Sequence, residues 1–253
     1  MTKPEISVCI PAYEMNGYGA LYLEASLERL AEQDFQNFEV IVSDQSLDDA
    51  VKSVCERRSD TMNISHLWNR GSKRQAATNI NYALDHTHGR ILKVLFQDDY
   101  LCDRRSLSII HERFVETGCD WLLCGSGIVK DGENVKCPMI PLLTEKLHFG
   151  KNTVSSPSVL AIDRRCAERF DENLIWLMDV EFYKRLWDTK GFPEIVHTTL
   201  VANRIHDHQV SGKVDRKMQA RELDYIWKKY ASKSTVSAKL EFLKRRIKTI
   251  LAK

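Results

Sequence analysis

The chain has 253 residues, 43% of them hydrophobic and 28% charged, with five Trp, eight Tyr and nine Phe. That content excludes a disordered chain, and no apolar run approaches the ~20 residues that cross a bilayer as a helix. A net charge of +2 excludes broad coating of nucleic acid, yet it is unevenly spread: residues 233–253 carry seven basic residues and one acidic, the rest 30 basic and 34 acidic.

In chain order, the N-terminal residues lead straight into a strand-like run without a secretory leader. Ile6 to Ile10 is that short apolar run, a buried strand stopped by Pro11. Ala20 to Gln33 has apolar residues at 20, 23, 27, 30 and 31, near helical spacing. Glu39 to Val42 is a second strand, ending in an acidic turn whose Asp48 caps a helix reaching about Arg58. Ile64 to Leu67 is a third strand. Gln75 to His86 is a helix ended by Gly89 in the C-cap manner. Ile91 to Phe96 is a fourth strand, delivering Gln97-Asp98-Asp99 at its carboxyl end.

Strands alternating with helices over the first ~100 residues indicate a doubly wound α/β sheet. Ligands bind such sheets outside the carboxyl ends of the strands. Those ends carry Pro11-Ala12-Tyr13-Glu14, Asp44 and Asp98-Asp99, an acidic set that suits a metal-bound or hydroxyl-rich ligand better than a bare anion. The second half is less regular. Residues 125–158 read as loops around short strands, and Asp179 to Trp187 reads as a helix with Phe182 and Leu186 inward. Val196 to Ile205 reads as a strand running into His206-Asp207-His208. Met218 to Tyr230 and Val236 to Leu251 read as closing helices.

Seven cysteines, an odd number with no CxxC pair, indicate neither a disulfide framework nor a zinc site. They suit a reducing cytoplasm, with Cys9, Cys119 and Cys124 as small core residues. The paired acids Asp98 and Asp99 repel each other unless a cation or hydrogen-bond donors compensate. A divalent metal shared with a diphosphate would do so; a solvated turn or a helix cap is the plainer alternative. Asp179 is likewise either a reactive carboxylate or a helix N-cap. The tail has apolar residues at 236, 240, 243, 247 and 250 with its basic residues mostly elsewhere. That is an amphipathic basic helix, either for an anionic lipid surface or for packing on its own domain.

Four motifs in order carry a resemblance. They are Ser7-Val8-Cys9-Ile10-Pro11-Ala12-Tyr13-Glu14, Val42-Ser43-Asp44-Gln45-Ser46-Leu47-Asp48, the stretch from Asn69-Arg70-Gly71 through Asn79 and Gly89, and the acids Asp98-Asp99. Together they resemble family 2 glycosyltransferases of the GT-A fold. The resemblance implies a Rossmann-like mixed sheet flanked by helices over residues 1–212, divided into a nucleotide-binding half (1–100) and an acceptor-binding half (101–212), with a helical extension at 213–253. It implies that Pro11, Ala12, Tyr13, Glu14, Asp44, Asn79, Lys93, Asp98 and Arg204 bind a nucleoside-diphosphate sugar. Asp99 and His206, or His208 after a small shift of register, would hold Mg²⁺ or Mn²⁺. Phe96 stands where many members have a first Asp, and Ser43 where they often have Asp.

Phe170-Asp171-Glu172 with Asp179 resembles the family's second acidic region, where Met178 replaces the usual Glu. This implies that Asp179 is the base of an inverting transfer to a glycan or lipid-linked hydroxyl, with Ser156, Trp176 and Glu181 on the acceptor side. Arg204 to Ser211 resembles the closing R-x-H-x-x-(Q/S)-x-S stretch. A cytoplasmic enzyme peripheral to an anionic membrane, making a polysaccharide and binding no nucleic acid, is the expectation. A sugar nucleotidyltransferase lacks its Gly-rich turn here, and a dehydrogenase its G-x-G-x-x-G. A non-catalytic nucleotide-sugar or glycan-binding module remains as a third reading, favoured mildly by Phe96 and Met178.

Overall fold

A computed structural model describes residues 3–71, 73–130, 134–207, 209 and 214–251. Strand β1 (Ile6–Ala12) is buried along its whole length, as expected of a strand covered on both faces by helices. It pairs in parallel with β2 (Phe38–Asp44) on one side and β4 (Ile91–Val94) on the other. Pro11 does not stop β1. Pairing with β4 extends only to Cys9, so a proline without N–H is tolerated where that edge has opened. The strand β3 (Ile64–Trp68) lies outside β2, again parallel.

Helix α1 (Gly19–Ala31) buries Leu23, Leu27 and Leu30, the predicted face. Helix α2 (Ala50–Arg58) begins where the Asp48 carboxylate accepts the Ala50 amide at 3.1 Å. Helix α3 (Ala76–Asp85) ends at His86, not at Gly89. The glycine has another function: a Cβ there would lie 2.7 Å from the carbonyl carbon of Ile6 and the amide nitrogen of Ser7. Only a hydrogen lets the chain enter β4 so close to β1.

The sheet then turns mixed. Its order among the described residues is β3-β2-β1-β4-β8-β6-β9-β5, with β7 (Lys136–Met139) on β6. Strand β8 (Leu160–Asp163) is antiparallel to both β4 and β6 (Trp121–Val129), whereas β9 (Glu194–Arg204) is parallel to β6. The short β5 (Tyr100–Leu101) closes the edge against β9. Residues 125–129, expected among loops around short strands, thus belong to one nine-residue strand. Gly125 and Gly127 obscured it, yet a Cβ at Gly125 would sit 2.7 Å from the Thr198 carbonyl oxygen, where β9 bulges against it. The helix α4 (Ser106–Thr117) also went unread, although Leu107, Ile110 and Phe114 bury an i, i+3, i+7 face and Gly118 closes it at φ +64°.

Helices α5 (Met178–Lys190), α6 (Arg216–Tyr230) and α7 (Val236–Leu251) complete the fold. Leu223, Ile226 and Tyr230 of α6 and Ala238 and Phe242 of α7 join the same buried cluster as the sheet. The expected extension at 213–253 therefore shares the core of the body. No helix among the described residues is long and apolar enough to cross a membrane.

Gly89→Ala should cost about 1–3 kcal/mol, because the added methyl meets backbone atoms that cannot rotate away. A thermal or urea melt equal to wild type would show that β1 and β4 part without penalty.

Candidate active site

The carboxyl ends of β1, β4 and β9 converge, as the sheet order requires. Gln97, between Phe96 and the acid pair, holds the end of β1 in place. Its side-chain amide accepts from the Tyr13 N–H at 2.6 Å and donates to the Tyr13 carbonyl at 3.0 Å. Gly19 lets that carbonyl approach, since a Cβ there would lie 2.0 Å from it. Gln97 was not anticipated; its only sequence signal was its position beside the two acids. Glu14, next along, is paired with Arg74 at 2.6 Å from the loop before α3.

Asp99 is buried, and its carboxylate is fully engaged. One oxygen accepts from Ser158 Oγ (2.6 Å), Asn203 Nδ2 (2.9 Å) and Ser156 Oγ (3.1 Å), and the other from the Arg204 amide (3.2 Å). Burial, with Asp98 adjacent, still pushes its pKa up to about 7. Both oxygens are thus committed to protein donors, which disfavours the expected metal role. Asp98 differs. Its Oδ2 lies 3.0 Å from His206 Nε2, and its main-chain carbonyl accepts from Arg204 Nε at 3.2 Å. The imidazole of His206 stands 4.6 Å from the Tyr22 ring, and the Arg204 guanidinium lies over Tyr22 and Tyr100 at 5.1 and 5.4 Å. Asp98, Arg204 and His206 form one cluster. His208 and Ser211 lie outside the described residues.

Among the described residues no three His, Cys, Asp or Glu side chains gather to hold a metal alone. The Asp98–His206 pair nevertheless fits a cation whose remaining ligands come from a diphosphate, because such sites take only one or two protein ligands. An imidazole beside a carboxylate favours Mn²⁺ over Mg²⁺.

Three further assignments change. Lys93 has no exposed surface; its Nζ donates to the carbonyls of Ser158, Leu160 and Val94, and burial lowers its pKa. It ties β4 to β8 and reaches no nucleotide. Asn79 is buried too, donating to the Ala12 carbonyl at 2.9 Å and accepting from Ser43 Oγ and Asn69 Nδ2. It latches the ends of β1 and β2 and supports the site from beneath. Glu181 is wholly buried and bonded to Arg185, Lys229 and Tyr230, so it does not face an acceptor. Burial would raise its pKa, but Arg185 and Lys229 outweigh that and hold it low.

Asp44 has no exposed surface: His66 Nε2 and the Ser46 amide each lie 2.8 Å from its carboxylate. Pro11 and Ala12 are buried at the end of β1, and Tyr13 is half-buried beside Asp98. Trp176 is half-buried, with its ring against Gly150, where a Cβ would lie 3.2 Å from it.

Asp179 is the second residue of α5, not its cap. Its Oδ1 accepts from the Val180 amide at 2.7 Å and its Oδ2 from Asn152 Nδ2 at 2.8 Å. Its recess desolvates the carboxyl and pushes its pKa up to about 7, with the Glu222 charge adding to the rise. Asn152 also donates to the Ser155 carbonyl and accepts from the Val154 and Ser155 amides. Ser155 is held at φ +117°, a strained value for a residue with a Cβ, and its hydroxyl donates to Asn203 Oδ1 at 3.0 Å. Residues 152–156 thus join the Asp179 carboxylate to the Asp99 network within a few bonds. Sequence reasoning identified both acids but not Asn152 or Asn203, which connect them.

Glu222 was also missed, since it lies on α6 in the presumed extension. Only 1% exposed, it accepts from three successive amides at the head of α5: Ile175 at 2.8 Å, Trp176 at 3.0 Å and Leu177 at 2.9 Å. A helix N-terminus favours an anion there. Glu222→Ala leaves these donors unpaired in a buried place and should lower stability by roughly 2–3 kcal/mol in urea melts. An unchanged midpoint would mean that water replaces the carboxylate without cost.

Comparison with known proteins followed the same outline. The family model described as "Glycosyl transferase family 2" matches residues 7–170. A curated relative, the GalNAc(5)-diNAcBac-PP-undecaprenol beta-1,3-glucosyltransferase of Campylobacter jejuni, is 31% identical over 99 residues, which is 39% of this chain and 31% of that protein. The chain thus spans less than a third of that relative's length. Residues 1–349 of TarS from S. aureus with UDP-GlcNAc superpose with a TM-score of 0.68 at 19% identity, covering 98% of this chain and 73% of that one. The mannosyltransferase PcManGT of Pyrobaculum calidifontis with GDP-Man and Mn²⁺ gives 0.66 at 17% identity, covering 100% of this chain and 71% of that one. At these identities the likeness is one of fold, and the fold is GT-A.

Proposed function

The chain belongs to glycosyl transferase family 2, and from that premise we propose that it transfers a sugar from a nucleoside diphosphate to a hydroxyl of a glycan or lipid-linked acceptor, with inversion. The observation that carries this reading is the pairing of two unlike carboxylate sites across one short loop. Asp98 with His206 and Arg204 forms a corner at the strand ends that could hold both a metal and a phosphate. Asp179, recessed and raised towards neutrality, stands on the other side of residues 152–156.

In this reading the diphosphate lies against Arg204, whose planar fork matches phosphate oxygens. Tyr13, clamped by Gln97, borders the nucleotide, and the Glu14–Arg74 pair closes the loop before α3 over it. A divalent ion held by Asp98 and His206 would neutralise charge on the departing diphosphate. Asp179 takes the proton from the acceptor hydroxyl as its oxygen attacks the anomeric carbon from the face opposite the leaving group. One displacement of this kind inverts the configuration. Asn152 holds the base carboxylate in line. Trp176 beside Gly150 offers a ring for a sugar face, and the half-buried Ser156 borders the same opening.

The GT-A domain is taken as residues 1–212. The named substrate of the Campylobacter relative is lipid-linked, which supports an acceptor of that class. All seven cysteines are free, which suits the reducing cytoplasm, where nucleotide sugars would be met.

Asp179→Asn should lower kcat by ~10²–10⁴-fold with donor affinity little changed, measured by transfer from UDP- and GDP-sugars with Mn²⁺. Retained turnover, or a product of retained configuration, would refute the base assignment. Asp98→Asn should abolish the metal dependence of nucleoside-diphosphate binding in a thermal-shift titration, whereas Asp99→Asn should chiefly lower the melting temperature. The reverse pattern would restore the metal to Asp99.

A base must be ionised to act, so kcat should rise as the pH climbs through about 7 and level off above it. Glu222→Gln removes a negative charge near Asp179 and should move that limb to lower pH. An unmoved limb would show that Glu222 acts through structure alone.

A further inference from the structure

Helix α7 presents apolar side chains on two opposite faces. Towards the body, Ala238 and Phe242 are buried, with Phe242 stacked on Trp227 at 4.2 Å between ring centroids and 5.5 Å from Phe149. Away from it, Val236, Leu240, Leu243, Ile247, Ile250 and Leu251 are 48–75% exposed. With 3.6 residues per turn these six fall within an arc of about 100°, on the side opposite the packed seam. A surface helix of a globular domain needs one apolar stripe, and α7 has already buried its own.

The borders of the outward arc are cationic. Lys239 and Arg246 lie along one edge, and Lys244 and Lys248 along the other. Arg246 is fixed by Asp224 at 2.8 and 2.9 Å, and Glu241 is paired with Arg245. On the Arg246 side a cavity of about 490 Å³ opens between α6 and α7, lined by Lys217, Arg221, Lys228 and Arg246 together with Asp224 and Tyr225. An apolar band between lysine borders matches the boundary of an anionic bilayer: the band enters the acyl region and the long side chains reach back to the headgroups.

We propose that the outward face of α7 docks the protein on an anionic lipid surface, with the helix lying flat in the headgroup layer and the cavity between α6 and α7 receiving lipid phosphates. Charge favours this occupant over a second copy, because two such faces would oppose their lysine borders across the contact. Docking also has a direct consequence for the site. Phe242 packs on Phe149, which precedes Gly150 and the Asn152 that holds Asp179. The lipid surface and the acceptor carboxylate are thus attached to one short segment. The docking inference does not depend on the transferase reading, since the experiment below needs no turnover.

Full-length protein is sedimented with vesicles of phosphatidylglycerol and phosphatidylcholine, and with phosphatidylcholine alone. Wild type should pellet with the anionic vesicles at low salt and be released as salt is raised. Lys239→Gln, Lys244→Gln and Lys248→Gln combined should weaken binding about 100-fold, at roughly fivefold per charge. Leu240→Ser, Leu243→Ser and Ile247→Ser combined should remove binding while far-UV dichroism and melting temperature stay unchanged, because these residues support nothing beneath them. Binding by either triple variant equal to wild type would overturn the proposal. So would no pelleting with anionic vesicles at low salt, or a dimer in sedimentation velocity that the apolar triple variant dissolves and that leaves no vesicle binding.

Discussion

A carboxylate with little access to water must find donors or become protonated, and at Asp99 much of the fold supplies them. Its four hydrogen bonds come from the loop before β8 and from the end of β9, elements more than fifty residues apart in sequence from the strand that delivers it. Lys93, buried on the same strand, donates to the carbonyl of Ser158 while Asp99 accepts from that residue's hydroxyl. A buried cation and a buried anion therefore share one serine. Neither would be tolerated alone in a low-dielectric interior. Their combination fixes where β4, β8 and β9 end, and hence the corner from which Asp98, Arg204 and His206 project.

The same logic recurs at the head of α5. Helix starts leave unpaired amides, and the head of this one is closed by Glu222, donated from α6, instead of by a local cap. The arrangement leaves Asp179, the second residue of the helix, free to accept from Asn152. A local Ser or Asp at the cap would have made α5 self-sufficient; a carboxylate borrowed from α6 makes the geometry of Asp179 depend on the packing of the C-terminal helices. Ser155, with φ of +117°, shows that the connecting loop is likewise held by tertiary contacts against its local preference.

The N-terminal hundred residues were legible in the sequence because their signals are local. Apolar runs, helical spacing and acids at strand ends located β1 to β4, α1 to α3 and the Asp98 corner. What stayed hidden was non-local. Gly125 read as a loop residue because its role, admitting β9 against β6, belongs to a strand about seventy residues on, whereas Gly127 makes room for Val135 and the Lys136 carbonyl on the β7 side. Lys93 read as a ligand on the family resemblance, and only the carbonyls of Ser158, Leu160 and Val94 explain its burial. Glu181 and Glu222 illustrate the same limit. Both are acids on helices; one is spent on Arg185, Lys229 and Tyr230, the other on three amides, and no spacing rule distinguishes them from catalytic carboxylates.

The two departures at acidic motif positions, Phe96 and Met178, follow from this distribution of charge. Phe96 is packed against the core while its amide donates to Ser158 Oγ at 2.9 Å, the hydroxyl that Asp99 uses. A further carboxylate there would add a third negative charge beside Asp98 and Asp99, with Lys93 already committed to carbonyls. Met178 is buried at the first position of α5 next to the amides that Glu222 occupies. A glutamate in its place would bring a second anion to donors already taken. Apolar residues at both points keep further negative charge away from Asp98 at one end of the site and from Asp179 at the other. The proposed displacement asks for no more than these two, one carboxylate beside a metal and one as base.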